Sequence, residues 1–179
     1  MGRSGVLGRL CAALILLTVA GPAFAGSAVK EVRSFNKIKV VFTKNAPNCD
    51  FKSTEAFERY LRKSLAKVGV QQNGGSIVEI RLEVGGIPFG MLDAQCAVEA
   101  NLDFRTSLQA SNIVTDNKEV RRALDQLQVF PISLYTVGAF GIDTTLYTFA
   151  DGRNITKAEK KVLDMIDRLV SRFDEARRQ

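Results

Sequence analysis

The stretch Ser76–Phe104 limits this chain more than any other. Val78, Ile80, Leu82 and Val84 alternate with Glu79, Arg81 and Glu83. Cys96, Val98, Ala100, Leu102 and Phe104 then alternate with Ala97, Glu99, Asn101 and Asp103. A period of two is the mark of a strand with one face in the core and one in water. Gly85-Gly86-Ile87-Pro88-Phe89-Gly90 separates the runs and reads as a strand breaker. The expectation is one long β-hairpin whose apolar face the rest of the chain must cover. If facing positions sum to 180, Val78 faces Leu102, Val84 faces Cys96, and Arg81 lies opposite Glu99 as a cross-strand charge pair.

The elements that do the covering are legible on either side. Ile38, Val40 and Phe42 give a first strand over Ile38–Thr43. Ser53 or Thr54 caps a helix. Its buried face carries Phe57, Tyr60, Leu61, Ser64, Leu65 and Val68, and Gly69 ends it. Asn117–Leu127 reads as a short helix or turn. Val129–Val137 reads as a strand that Pro131 marks as an edge or a bulge. Gly138-Ala139-Phe140-Gly141 breaks it, and Ile142–Phe149 continues as a strand or a loop. Asp151-Gly152 is a turn. Thr156 with Glu159 makes a capping box for a last helix. Its seam is Ala158, Val162, Ile166, Leu169 and Phe173, widened by Met165 and Val170. That seam would serve either the domain's own core or a homodimeric coiled coil.

The order is β-α-β-β-β-α, which predicts an α+β two-layer sandwich: two helices on one face of a mainly antiparallel sheet of about four strands. This element order resembles that of small periplasmic domains in envelope-assembly and transport accessory proteins. The resemblance is one of topology, without a shared motif.

Residues 1–25 read as a cleaved secretory signal peptide: Arg3 and Arg9, an apolar run from Leu10 to Ala20, and Ala23-Phe24-Ala25 before Gly26. Cys11 lies inside the apolar run rather than at its end, so lipidation is not expected. Residues 26–36 read as a short flexible leader and residues 37–179 as a single domain. The expected location is the periplasm.

After cleavage two cysteines remain, Cys49 and Cys96. An even count in an oxidising compartment points to a disulfide. If the first strand and Val78–Val84 are parallel, both end at one edge of the domain. Cys49 follows the first of these ends and Cys96 opens the next strand there.

Composition narrows the chemistry. There is no histidine in 179 residues, so Ser-His-Asp and Cys-His pairs and histidine-containing zinc sites are excluded. The mature chain carries 23 basic groups against 19 acidic, a net charge of +4. The basic residues are interspersed with acidic ones, so no nucleic-acid surface is expected. Gly74-Gly75 and Gly85-Gly86 lack the partners of a phosphate loop. Neither a cofactor nor a metal is expected.

Two apolar stretches remain. Ile87, Phe89, Met91 and Leu92 stand where an exposed turn should be polar, and Phe140 lies in the glycine-flanked segment 137–142. Exposed apolar residues often mark a partner or membrane site. The leading expectation is a non-enzymatic accessory domain that binds an envelope protein complex, with peripheral membrane contact as a further option. The alternative is a periplasmic carrier of a small ligand or lipid, held between helices and sheet. A third reading is a hydrolase using Glu79, Glu83, Glu99 or Asp103.

Overall fold

The computed structural model describes residues 29–51, 53–90, 94–109, 116–119, 121–122 and 129–179. Its strands are β1 (Ser34–Phe35), β2 (Lys37–Phe42), β3 (Gln71–Gln72), β4 (Val78–Phe89), β5 (Gln95–Gln109), β6 (Val129–Thr144), β7 (Tyr147–Ala150) and β8 (Arg153–Thr156). Its helices are a 3₁₀ turn at Ala46–Cys49, α1 (Thr54–Lys67) and α2 (Lys157–Arg178). The main sheet has the order β2-β4-β5-β6. β2 runs parallel to β4, whereas β4–β5 and β5–β6 are antiparallel. The α+β class and the mainly antiparallel four-stranded sheet are as the sequence implies, and the one parallel pair, β2–β4, makes the sheet mixed. A helix connects β2 to β4, and such a crossover leaves its two strands parallel.

Both helices start where the sequence places them. Ser53 Oγ accepts from the amide of Ala56 at 3.4 Å, and Thr156 Oγ1 accepts from the amide of Glu159 at 3.0 Å. Each bond satisfies one amide that the first helical turn leaves unpaired. α1 is stopped just before Gly69, whose φ of 75° costs a glycine little. Every residue of the α2 seam is buried within this domain. The side chains that a coiled coil would need are therefore already covered.

The helices are joined by polar contacts. Tyr60 donates to Asp167 Oδ2 at 2.7 Å, and Ser64 donates to Asp167 Oδ1 at 2.6 Å. Burial, and then the Asp167 carboxylate, push the Tyr60 hydroxyl from 10.0 up to about 12. In the last turn of α2, Arg177 donates to the carbonyls of Val68 at 2.5 Å and Val32 at 3.2 Å, and to Asp174 at 2.7 Å. Residues 29–36, read from sequence as a leader, are packed: Val29, Val32 and Phe35 are buried, and β1 pairs with β3. Lys30, Glu31 and Arg33 between them hide that pattern in the sequence.

The hairpin register differs from the expected one. Facing positions sum to 184, so Val78 faces Thr106, Leu82 faces Leu102 and Phe89 faces Gln95. Arg81 lies opposite Asp103, not Glu99, and pairs with Glu83 on its own strand at 3.3 Å. The glycines do not break the strand. A Cβ on Gly85 would stand 2.4 Å from Glu99 Oε1, and one on Gly86 would stand 2.8 Å from Cys49 Sγ. Both are strand positions where another group crosses too closely for a side chain.

β6 repeats the lesson. It runs unbroken through Gly138 and Gly141 to Thr144. A Cβ on Gly138 would meet Asn101 Oδ1 at 2.4 Å, and one on Gly141 would meet Met165 Cε at 2.7 Å. The irregularity lies earlier. Phe104 pairs with Tyr135 and Arg105 with Ser133, which leaves Leu134 as a bulge. Asp151-Gly152 forms the turn of the β7–β8 hairpin, with φ of 48° and 74°. Positive φ at both turn residues is what a type I′ two-residue hairpin turn requires. β8 was not visible in the sequence as a separate strand. The expected helix or turn at Asn117–Leu127 lies largely outside the described residues.

Candidate functional site

Alternation along the strands divides the main sheet into two faces. Even-numbered residues of β4 and β5 point toward the helices: Ile80, Leu82, Val84, Val98, Leu102 and Phe104 are all fully buried. Their partners below include Phe173, whose ring stacks on Phe104 at 3.9 Å and 12°. Among the described residues, the buried side chains of the two layers pack against each other here. Odd-numbered residues form the opposite face, which neither described helix covers.

That open face changes character from end to end. At one end the cross-strand rows are Lys37–Glu79–Arg105–Ser133 and Lys39–Arg81–Asp103–Thr136. At the other they are Gly85–Glu99–Phe140, Ile87–Ala97–Ile142 and Phe89–Gln95–Thr144. Ile87, Phe140 and Ile142 are 60%, 68% and 53% exposed, and Phe89 is 37% exposed. These side chains adjoin across three strands and form one apolar patch. A groove of about 240 Å³ runs beside it, bounded by Thr43, Lys44, Asn45, Glu99 and Phe140 among others.

The patch rests on a cross-linked support. Cys49 and Cys96 form a disulfide with Cα atoms 5.9 Å apart. Cys49 lies under Gly86, one residue from Ile87. Phe51 lies beside it and packs with Phe42 and Phe57 at ring separations of 5.8–6.0 Å. The topology argument from sequence is the one realised: parallel β2 and β4 bring both cysteines to the same end.

Three of the expected contact residues meet on this patch, namely Ile87, Phe89 and Phe140. They do so on a sheet face, because β4 continues to Phe89 and the hairpin tip lies beyond it. Met91 and Leu92 lie outside the described residues. The sequence reading missed Ile142 and Ala97. Their signal was Phe140-x-Ile142, a period of two, hidden by the expected break at Gly138–Gly141. A second exposed cluster, Leu146, Tyr147 and Phe149, follows β6 at the same end, and the Tyr147 hydroxyl donates to Asp50.

The carboxylates of the charged end are tied to neighbours. Glu79 pairs with Lys37 at 2.9 Å. Asp103 pairs with Arg105 and accepts from Ser133 at 2.6 Å and Thr136 at 3.1 Å. Among the described residues no cluster of three or more cysteine, aspartate or glutamate side chains is placed to hold a metal ion. No described helix is long and apolar enough to cross a membrane.

No protein-family model and no curated protein matches the chain. Among solved structures, it is similar to a minor lipoprotein from Acinetobacter baumannii at 14% identity and a TM-score of 0.30, over 79% of this chain and 91% of that one. It is also similar to a neuraminyllactose-binding hemagglutinin homolog from Helicobacter pylori at 10% identity and a TM-score of 0.27, over 81% and 85%. At this degree of overlap neither likeness carries an argument about function.

Proposed function

We propose that this is a non-enzymatic, extracytoplasmic interaction domain of the cell envelope that docks a protein partner on the uncovered apolar end of its sheet. The observation that carries this reading is the adjoining, exposed set Ile87, Ala97, Phe140 and Ile142 on a face with no described layer above it. Side chains of this size are ordinarily inside, and a patch of them on one face marks an interaction site. The disulfide supports an oxidising compartment, for which the periplasm is the proposed location. The absence of histidine supports a binding role over a catalytic one. The packing of buried side chains between helices and sheet supports docking on the surface over carriage of a lipid inside.

Photo-crosslinking in the native cell tests this. A reactive residue at position 87 or 140 is expected to give a discrete protein adduct, and one at Arg81 to give none. Equal labelling at all three sites, or none at 87 and 140, would overturn the reading.

A further inference from the structure

β6 is an edge strand, and its free side has a defined structure at the apolar end. The amide of Thr145 donates to the carbonyl of Ala94 at 3.1 Å. That makes 145/94 a hydrogen-bonded antiparallel pair, so 143/96, 141/98 and 139/100 are also hydrogen-bonded pairs. The backbone groups of residues 138, 140, 142 and 144 therefore point away from β5. The chain itself covers the two ends of this row. Arg172 donates to the carbonyl of Gly138 at 3.4 Å, and the amide of Thr144 donates to Asp143 Oδ1 at 2.9 Å. Between these caps the amides and carbonyls of Phe140 and Ile142 have no partner among the described residues.

The two faces flanking this window differ in chemistry. On the open face stand the side chains of Phe140 and Ile142. On the helix face α2 presents Lys161, Arg168 and Arg172, spaced at seven and four residues and hence on one stripe. Lys161 Cε lies 2.8 Å from where a Cβ of Gly141 would be, and Arg172 reaches Gly138. None of the three forms an ion pair among the described residues.

Resting on the docking function above, we propose that the partner supplies one extended strand that adds to β6 at Phe140–Ile142. Its side chains alternate, apolar toward Phe140 and Ile142 and acidic toward Lys161, Arg168 and Arg172. Main-chain bonds supply the attachment and the two alternating sets supply the selection, as in other strand-addition complexes. Charge also decides between occupants. A second copy pairing through its own β6 would bring two basic stripes together, and juxtaposed like charges are unfavourable.

The test uses the disulfide-bonded mature protein and a fluorescent, end-capped eight-residue peptide of alternating valine and glutamate. Binding is read by anisotropy. Phe140→Pro is the deciding variant, because the amide of residue 140 points away from β5 and proline removes no bond to that strand. Phe140→Ala is its side-chain control. The proposal expects Phe140→Pro to bind at least tenfold more weakly than Phe140→Ala. It expects charge reversal of Lys161, Arg168 and Arg172 together to cost about tenfold, on the scale of three surface ion pairs, and to let a valine–lysine peptide bind instead. Equal affinity of the proline and alanine variants, or equal binding of the two peptides to the unmodified protein, would overturn strand addition. Crosslinking from position 87 separates this failure from that of the docking function. An adduct there with equal proline and alanine affinities keeps the docking face and discards the strand. Loss of that adduct discards both.

Discussion

The two ends of the open sheet face share strands β4, β5 and β6 and the same alternation, yet they present opposite surfaces. At the charged end the charges are satisfied within and between neighbouring rows: Lys37 meets Glu79, and Asp103 gathers Arg105, Ser133 and Thr136. At the apolar end the row Ile87–Ala97–Ile142 has apolar side chains, and no described layer lies over it. Beneath, each end has an aromatic cluster: Phe104, Tyr135 and Phe173 under the charged end, and Phe42, Phe51 and Phe57 under the apolar end. Only the apolar end adds a disulfide. An ion-paired face is complete in water. The exposed apolar face is the docking surface proposed above, and a disulfide and an aromatic cluster lie beneath it.

The largest effect should therefore come from that support. Cys49→Ser with Cys96→Ser opens a loop of 48 residues, since the cysteines are 47 apart in sequence. The chain-entropy model puts the cost at about 4 kcal/mol before strain. Denaturant unfolding would measure it. Native-state amide exchange sharpens the comparison: protection in 86–89 and 95–98 should fall more than in 78–82 and 102–105. A uniform loss would mean that the disulfide holds the whole domain and not one end.

Asp103→Ala comes next. It leaves Arg105, Ser133 and Thr136 without their shared acceptor on a residue that is itself buried. Loss of such a partner costs about 1–3 kcal/mol. Asp103→Asn, which keeps an acceptor, should cost less. Crosslinking from position 140 should be unchanged in both variants. If Asp103→Ala abolishes it, the two ends are coupled and do not work independently.

Much of this contrast is legible in the sequence. Strands that alternate without a break, such as Val78–Val84, declare their faces, and Thr156-x-x-Glu159 and Ser53 declare the helix starts. The parallel β2–β4 pairing follows from the helix between them, and with it the disulfide. What the sequence hides is where glycine means a turn and where it means a close approach. Gly85 and Gly86 make room for Glu99 and for the disulfide, and Gly138 and Gly141 make room for Asn101 and Met165. Those contacts come from distant parts of the chain. Reading them as breaks shifted the register by four and cut β6 before Ile142, so the patch appeared as two separate loops.

Tyr60 probes the layer that both ends share. Its hydroxyl loses its proton near 10.0 when the chain is unfolded and at about 12 when folded. Below pH 10 both states are protonated and its contribution is fully present. Between pH 10 and about 12 the folded state holds a proton that the unfolded state has lost, so stability falls as pH rises. Tyr60→Phe should flatten this alkaline limb and, at neutral pH, cost about 1 kcal/mol for the bond to Asp167. Amide exchange should show both ends of the sheet weakened alike. A preferential loss at one end would show that α1 supports the two ends unequally.

Ile87→Ser should have the smallest effect on stability and the largest on binding. The side chain is 60% exposed and touches no described layer above the sheet. A surface substitution of this kind stays within about 0.5 kcal/mol. The proposed docking, by contrast, draws on the apolar area that this row offers. Crosslinking from position 140 should then disappear while the denaturant midpoint scarcely moves. The matched substitution at the charged end, Arg81→Ser, removes the ion pair to Glu83, whose exposed geometry is worth about 0–1 kcal/mol, and should leave the adduct intact. Were Ile87→Ser to destabilise the domain by several kcal/mol, the patch would be a working part of the core, and the difference between the two ends would be one of packing and not of function.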